Sequence, residues 1–87
     1  MSVSIDDYDD LTTFVCRLMA RAGRPGESAT YLFRGVEIRC EGCLRGHRWT
    51  VYGPGGTRTF TSSIGYDEED YVIDRLIRSE LLPIEQD

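Results

Sequence analysis

The segment CEGCLRGH, Cys40 to His47, holds the residues of this sequence with the clearest capacity for chemistry. Two cysteines stand two residues apart, and the only histidine follows the second by four. Thiolate and imidazole ligands at such spacing can supply part of a tetrahedral zinc site. Cys40, Cys43 and His47 would then need a fourth ligand, either Cys16 or a carboxylate such as Glu41. Two features oppose this. On a helical wheel Cys16 falls roughly 130° from the centre of the apolar stripe of its helix, so it points away from the turn. Cys40 also continues the inward-facing series Val36 and Ile38, where a thiol serves as a small hydrophobe. The expectation is a hairpin with incidental thiols, bent at Gly42 and Gly46 and without a cofactor. A small zinc-stabilised adaptor is the second alternative.

Nucleophilic catalysis has equally little to stand on. A thiol or hydroxyl nucleophile needs an adjacent base, and Cys43 with His47 is the one conceivable pair. The sequence has no Gly-rich phosphate loop and no second histidine. No enzymatic activity is expected.

The elements that position these residues follow from hydrophobic periodicity. Residues 5–22 place Leu11, Phe14, Val15, Leu18, Met19 and Ala22 on one helical stripe. Ser4 is placed to cap that helix, which Gly23 ends. From residue 30 onward the period becomes two, and three antiparallel strands are predicted at about 31–41, 47–53 and 57–62. Gly35 marks a bulge in the first, and Pro54-Gly55 suits the centre of a type II turn between the last two. A second helix is predicted over 67–82, capped by Asp67, with Tyr66 packed on Tyr71 and Val72, Ile73, Leu76 and Ile77 inward; Pro83 stops it. A short C-terminal tail, IEQD, follows. The predicted fold is a single α+β domain of helix, three-stranded meander and helix, with both helices on one face of the sheet.

The 87 residues allow only a small core, burying about 60–65% of the unfolded surface. The acidic N-terminus lacks the apolar segment of a signal peptide, and no apolar run approaches the ~20 residues that span a bilayer. Three cysteines without an export signal suggest a reducing cytoplasm.

Charge is unevenly distributed. All ten basic residues are arginine, and the formal net charge is −5. Residues 1–20 carry −3, residues 21–65 carry +4, and residues 66–87 carry −6. Two clusters, Asp6, Asp7, Asp9 and Asp10, then Tyr66, Asp67, Glu68, Glu69, Asp70 and Tyr71, stand where the two helices begin. The helix dipole favours one or two acids at each place. Four within five residues repel one another, and with tyrosines among them they make a plausible contact surface for a basic partner. The rival candidate is the sheet, where Arg39, Arg48, Tyr52 and Arg58, with Tyr31 and Phe33, could hold phosphates and stack bases. Glu37 and Glu41 interleave with those arginines in a pattern of cross-strand charge pairing, so direct nucleic-acid binding is the weaker reading.

Helix–three strands–helix resembles double-stranded RNA-binding domains in element order alone. Those domains carry lysines where DEED (67–70) stands here, which would repel phosphate. In size and composition the chain is similar to the inhibitor proteins of phages, including anti-CRISPRs and DNA mimics, and to bacterial immunity proteins. What that similarity implies is a non-enzymatic protein that inhibits or regulates a nucleic-acid-handling partner by presenting carboxylates in place of phosphates.

Overall fold

The structure is a computed structural model that describes residues 3–84. The chain adopts the expected α+β class: α1 (Ile5–Arg21), β1 (Ser28–Phe33), β2 (Val36–Cys43), β3 (Gly46–Gly53), β4 (Gly56–Ser63) and α2 (Glu68–Arg78). The strands form one antiparallel sheet in the order β1-β2-β3-β4. Of the predicted tail, residues 85–87 lie outside the described residues.

The sheet has four strands because the predicted 31–41 strand is two. Phe33 pairs with Val36, leaving Arg34 and Gly35 as a two-residue turn with φ of 49° and 89°. Positive φ at both central positions makes this a type I′ hairpin, whose twist matches the flanking strands. Gly35 is therefore a turn residue and not a bulge. Arg34 disguises the turn in the sequence, because a non-glycine in the left-handed region is uncommon.

The other turns differ from expectation as well. Cys43 pairs with Gly46, so the reversal falls on Leu44-Arg45. Gly42 and Gly46 are strand residues kept small by close backbone approach. A Cβ on Gly42 would lie 2.0 Å from the Arg24 carbonyl oxygen, and one on Gly46 would lie 1.8 Å from that of Ser62. In the Pro54-Gly55 turn the positive φ falls on Gly56, at 142°, and not on Gly55, so it is not type II.

Ser4 caps α1 by accepting from the Asp7 N–H at 3.2 Å. Asp67 occupies the N-cap of α2 but makes no side-chain cap bond, and Tyr66 is fully exposed instead of packing on Tyr71. α2 ends at Arg78, four residues before the predicted limit. Glu80 takes φ of 60°, and the Ser79 hydroxyl donates to the Leu76 carbonyl at 2.6 Å. A left-handed residue just past the cap is a common helix ending, and Pro83 disfavours helical backbone at Leu82. Leu82 is buried all the same.

Leu11, Val15 and Leu18 of α1 join Val72, Ile73 and Leu76 of α2 and Phe33, Val36, Ile38, Cys40, Trp49, Val51 and Phe60 of the sheet in one buried cluster. The sheet members alternate along their strands, as one face of a pleat requires. Glu37, Arg48, Tyr52 and the exposed threonines 57, 59 and 61 occupy the opposite positions. No helix among the described residues is long and apolar enough to cross a membrane.

Candidate functional site

The two acidic clusters have different fates within the fold. In the first, the Arg34 guanidinium grips Asp7 and Asp10 at 2.7 Å each, reaches the Pro83 carbonyl at 3.4 Å, and lies 5.1 Å from the centre of the Phe33 ring. These carboxylates and their hydrogen bonds hold the arginine's pKa above its usual value. Asp7 and Asp10 thus tie α1 to the β1–β2 turn, while Asp6 and Asp9 remain exposed.

In the second cluster Glu68 turns inward and is 6% exposed. Its Oε2 accepts from the Ser62 hydroxyl at 2.7 Å and from His47 Nδ1 at 2.8 Å, and Ser62 in turn accepts from the Trp49 indole at 2.9 Å. His47 and Ser62 are cross-strand partners on β3 and β4, which sets both beneath the first turn of α2. The set satisfies four buried polar groups together, as a buried polar network must. A serine, an imidazole and a carboxylate in contact suggest a nucleophilic triad, but the order is wrong. In a triad the imidazole bridges hydroxyl and carboxylate; here the carboxylate bridges the other two. Glu68 is thereby corrected from a contact residue to a structural one.

Glu69 is half-buried and accepts from the Cys16 thiol at 2.9 Å, and Asp70 accepts from the Tyr8 hydroxyl at 3.4 Å. Both bonds run from α1 to α2. Burial, followed by the charge and hydrogen bond of Asp70 and the charge of Glu69, pushes the Tyr8 pKa up. The bond to Glu69, then burial, then the charge of Glu69 push that of Cys16 up to about 11. Tyr8 thus draws the acidic start of α1 against that of α2. Of the acidic residues at the two helix starts, Asp6, Asp9, Asp67 and Asp70 are exposed, as are Tyr8 (39%), Tyr71 (46%) and Tyr66 (108%). A cleft of about 390 Å³ between β4 and α2 is lined by Thr61, Ser63, Asp67, Glu68 and Tyr71. Carboxylate, hydroxyls and an aromatic ring in one recess suit a guanidinium or ammonium group. Tyr8 and Cys16 join the two clusters, and nothing in their sequence neighbourhood announces it.

The sequence matches no family model, no curated protein and no solved structure.

The basic sheet surface is dismantled by register. Arg39, Arg48 and Tyr52 share the face opposite the core, but Arg58 pairs with buried Val51 and belongs to the other face. Phe33 and Tyr31 pack edge-on against Phe14 on the core side, at 5.4 and 6.5 Å. Glu41 accepts from Arg48 at 3.0 Å and lies 3.6 Å from Arg39 Nε, too far for a hydrogen bond, so that nitrogen is buried without a hydrogen-bond partner among the described residues. The hydrogen bond from Arg48 is the chief reason that the Glu41 pKa is lowered. Glu41 thus faces both Arg39 and Arg48 and offsets one of their two charges.

The metal candidates are likewise dispersed. Cys40 is buried in the core, Cys43 is exposed, His47 is committed to Glu68, and no group of three potential ligands exists among the described residues. Burial, more than the neighbouring acids, raises the Cys40 pKa to about 12. A disulfide reagent at pH 8 should therefore label Cys43 first, Cys16 more slowly, and Cys40 only on unfolding, because the thiolate is the reacting species. Glu69→Gln should speed Cys16 selectively. Equal rates for Cys16 in both proteins would refute the bond. Both raised pKa values mean that the folded state holds its thiol protons more tightly than the unfolded one. This stabilisation is complete below pH 9 and fades as pH rises towards 11–12.

Proposed function

We propose that this protein is a non-enzymatic acidic binding protein, acting in the cytoplasm, that engages a basic surface on a nucleic-acid-handling protein and so inhibits or regulates it. The hydrogen bond from Tyr8 to Asp70 carries the reading, since it merges two acidic helix starts into one carboxylate–tyrosine surface. Asp6, Asp9, Asp67, Asp70, Tyr66 and Tyr71 would make the contact. A basic side chain of the partner would enter the cleft between Asp67 and Tyr71. Asp7 and Asp10, paired with Arg34, and Glu68, turned inward to Ser62 and His47, hold the two helix starts in place. Like charge would repel nucleic acid itself, whereas the exposed carboxylates would compete for the arginines and lysines that engage phosphates.

The test is affinity capture from the native host with the wild-type chain and with Asp6, Asp9, Asp67 and Asp70 all replaced by Asn. The wild type should retain a basic, nucleic-acid-handling protein that added duplex DNA or RNA releases. The variant should stay folded and lose at least ~10-fold in affinity, chiefly through slower association at low salt. Undiminished capture by the variant would overturn the proposal, as would direct binding of nucleic acid by the wild type at low salt.

A further inference from the structure

The last turn of α2 presents chemistry opposite to its first. Arg58 of β4 and Arg75 and Arg78 of α2 line, with Thr59, Phe60 and Ser79, a cleft of about 180 Å³. At ~30 Å³ for each water molecule this holds about six, enough for a tetrahedral oxyanion. Each arginine is exposed and makes one contact. The Arg75 guanidinium lies 5.4 Å from the centre of the Phe60 ring, Arg58 donates to the Thr57 carbonyl at 3.3 Å, and Arg78 pairs with Asp74 at 2.9 Å. Among the described residues no carboxylate lies within ion-pairing distance of Arg58 or Arg75. In a chain of net charge −5, two guanidiniums in one cleft without a carboxylate partner among the described residues are conspicuous.

We propose that this cleft binds a phosphate group, either free phosphate or the phosphate of a mononucleotide. Planar guanidinium forks match the oxygen geometry of phosphate and can bind it bidentately. The charge is sufficient. Three guanidiniums less the Asp74 carboxylate and the half-charge at the helix C-terminus leave roughly one and a half positive charges facing the cleft. A base would find no free ring here. Phe60 is buried, lies parallel to Trp49 with centroids 6.4 Å apart and planes at 11°, and has the Arg75 guanidinium 5.4 Å from its centre. Recognition is of the phosphate alone. The cleft borders the acidic surface, with Arg75 one helical turn beyond Tyr71, but the two share no lining residue. Either proposal can fail without the other.

Amide NMR titration of the whole chain at low ionic strength, with inorganic phosphate and in parallel with AMP, tests this. Saturable shifts are expected at Thr59, Phe60 and Ser79. Arg58→Ala with Arg75→Ala should weaken binding at least ~10-fold, as loss of charge-assisted hydrogen bonds does. Arg58→Gln alone, which leaves the Phe60 contact intact, should weaken it several-fold, and Asp74→Asn should tighten it. Affinity for AMP no greater than for phosphate is expected, since only the phosphate group is read; tighter AMP binding would overturn recognition of the phosphate alone. Shifts that never saturate, shifts spread over all ten arginines, or unchanged affinity in the folded Arg58→Gln variant would each overturn the proposal.

Discussion

Glu68→Ala should cost the protein about 2–6 kcal/mol of stability, because two buried donors lose their acceptor at ~1–3 kcal/mol each. Those donors are the Ser62 hydroxyl and His47 Nδ1, both held by the same carboxylate oxygen. A chain of this length is stable by about 4–13 kcal/mol in all, so the loss is a large fraction of the whole. Trp49 is the only tryptophan and is completely buried, so its fluorescence in a urea titration reports the change directly. Glu68→Gln keeps an oxygen able to accept both bonds and should lose less than half as much. Asp67→Asn, one residue away and exposed, should stay within about 0.5 kcal/mol. An unchanged midpoint for Glu68→Ala would dispose of the buried network. The contrast also governs any dissection of the acidic surface. Neutralising Glu68 together with its neighbours would confuse unfolding with loss of contact.

A larger loss is expected at Gly46. An alanine Cβ there would sit 1.8 Å from the Ser62 carbonyl oxygen, 2.8 Å from its carbon and 2.9 Å from Ser63 Cα. All three are backbone atoms of the paired strand, so no rotamer change relieves the contact and β3 must part from β4. That movement displaces Ser62 and with it the bonds to Trp49 and Glu68. The expected cost exceeds about 4 kcal/mol, enough to leave much of the protein unfolded at ordinary temperature. Gly55→Ala provides the comparison. Gly55 has no positive φ, and its Cβ would meet only Leu81 Cδ2, at 3.6 Å. It should be neutral to slightly stabilising, since alanine restricts the unfolded chain. Thermal melts by circular dichroism decide both. A folded Gly46→Ala with native melting temperature would contradict the strand register, and a strongly destabilised Gly55→Ala would restore the type II turn.

Legibility of the fold varied with the kind of signal. The stripes Leu11–Val15–Leu18 and Val72–Ile73–Leu76 could be read because helical burial repeats every three or four residues whatever the neighbours. The β3 and β4 strands could be read because their alternation was bounded by glycines. The β1–β2 hairpin could not. Its turn is Arg34-Gly35, and an arginine at positive φ carries no turn signature. What holds it is Asp7 and Asp10, more than twenty residues away in sequence. The end of α2 was hidden for a similar reason, since Glu80 takes the place in which glycine is usual.

By itself the sequence determined which segments are amphipathic, where charge accumulates, and that the two helix starts are acidic, because each is a property of neighbouring residues. Only the tertiary structure decided what those charges face. It paired Asp7 and Asp10 with Arg34, buried Glu68 against Ser62 and His47, and left Asp6, Asp9, Asp67 and Asp70 at the surface. It also split the arginines, setting Arg48 beside Glu41 and Arg58 beside Arg75. The physical reason is one of range. Periodicity and capping act within a few residues, whereas an ion pair or a buried hydrogen bond depends on distance in space, which only strand register and helix packing supply.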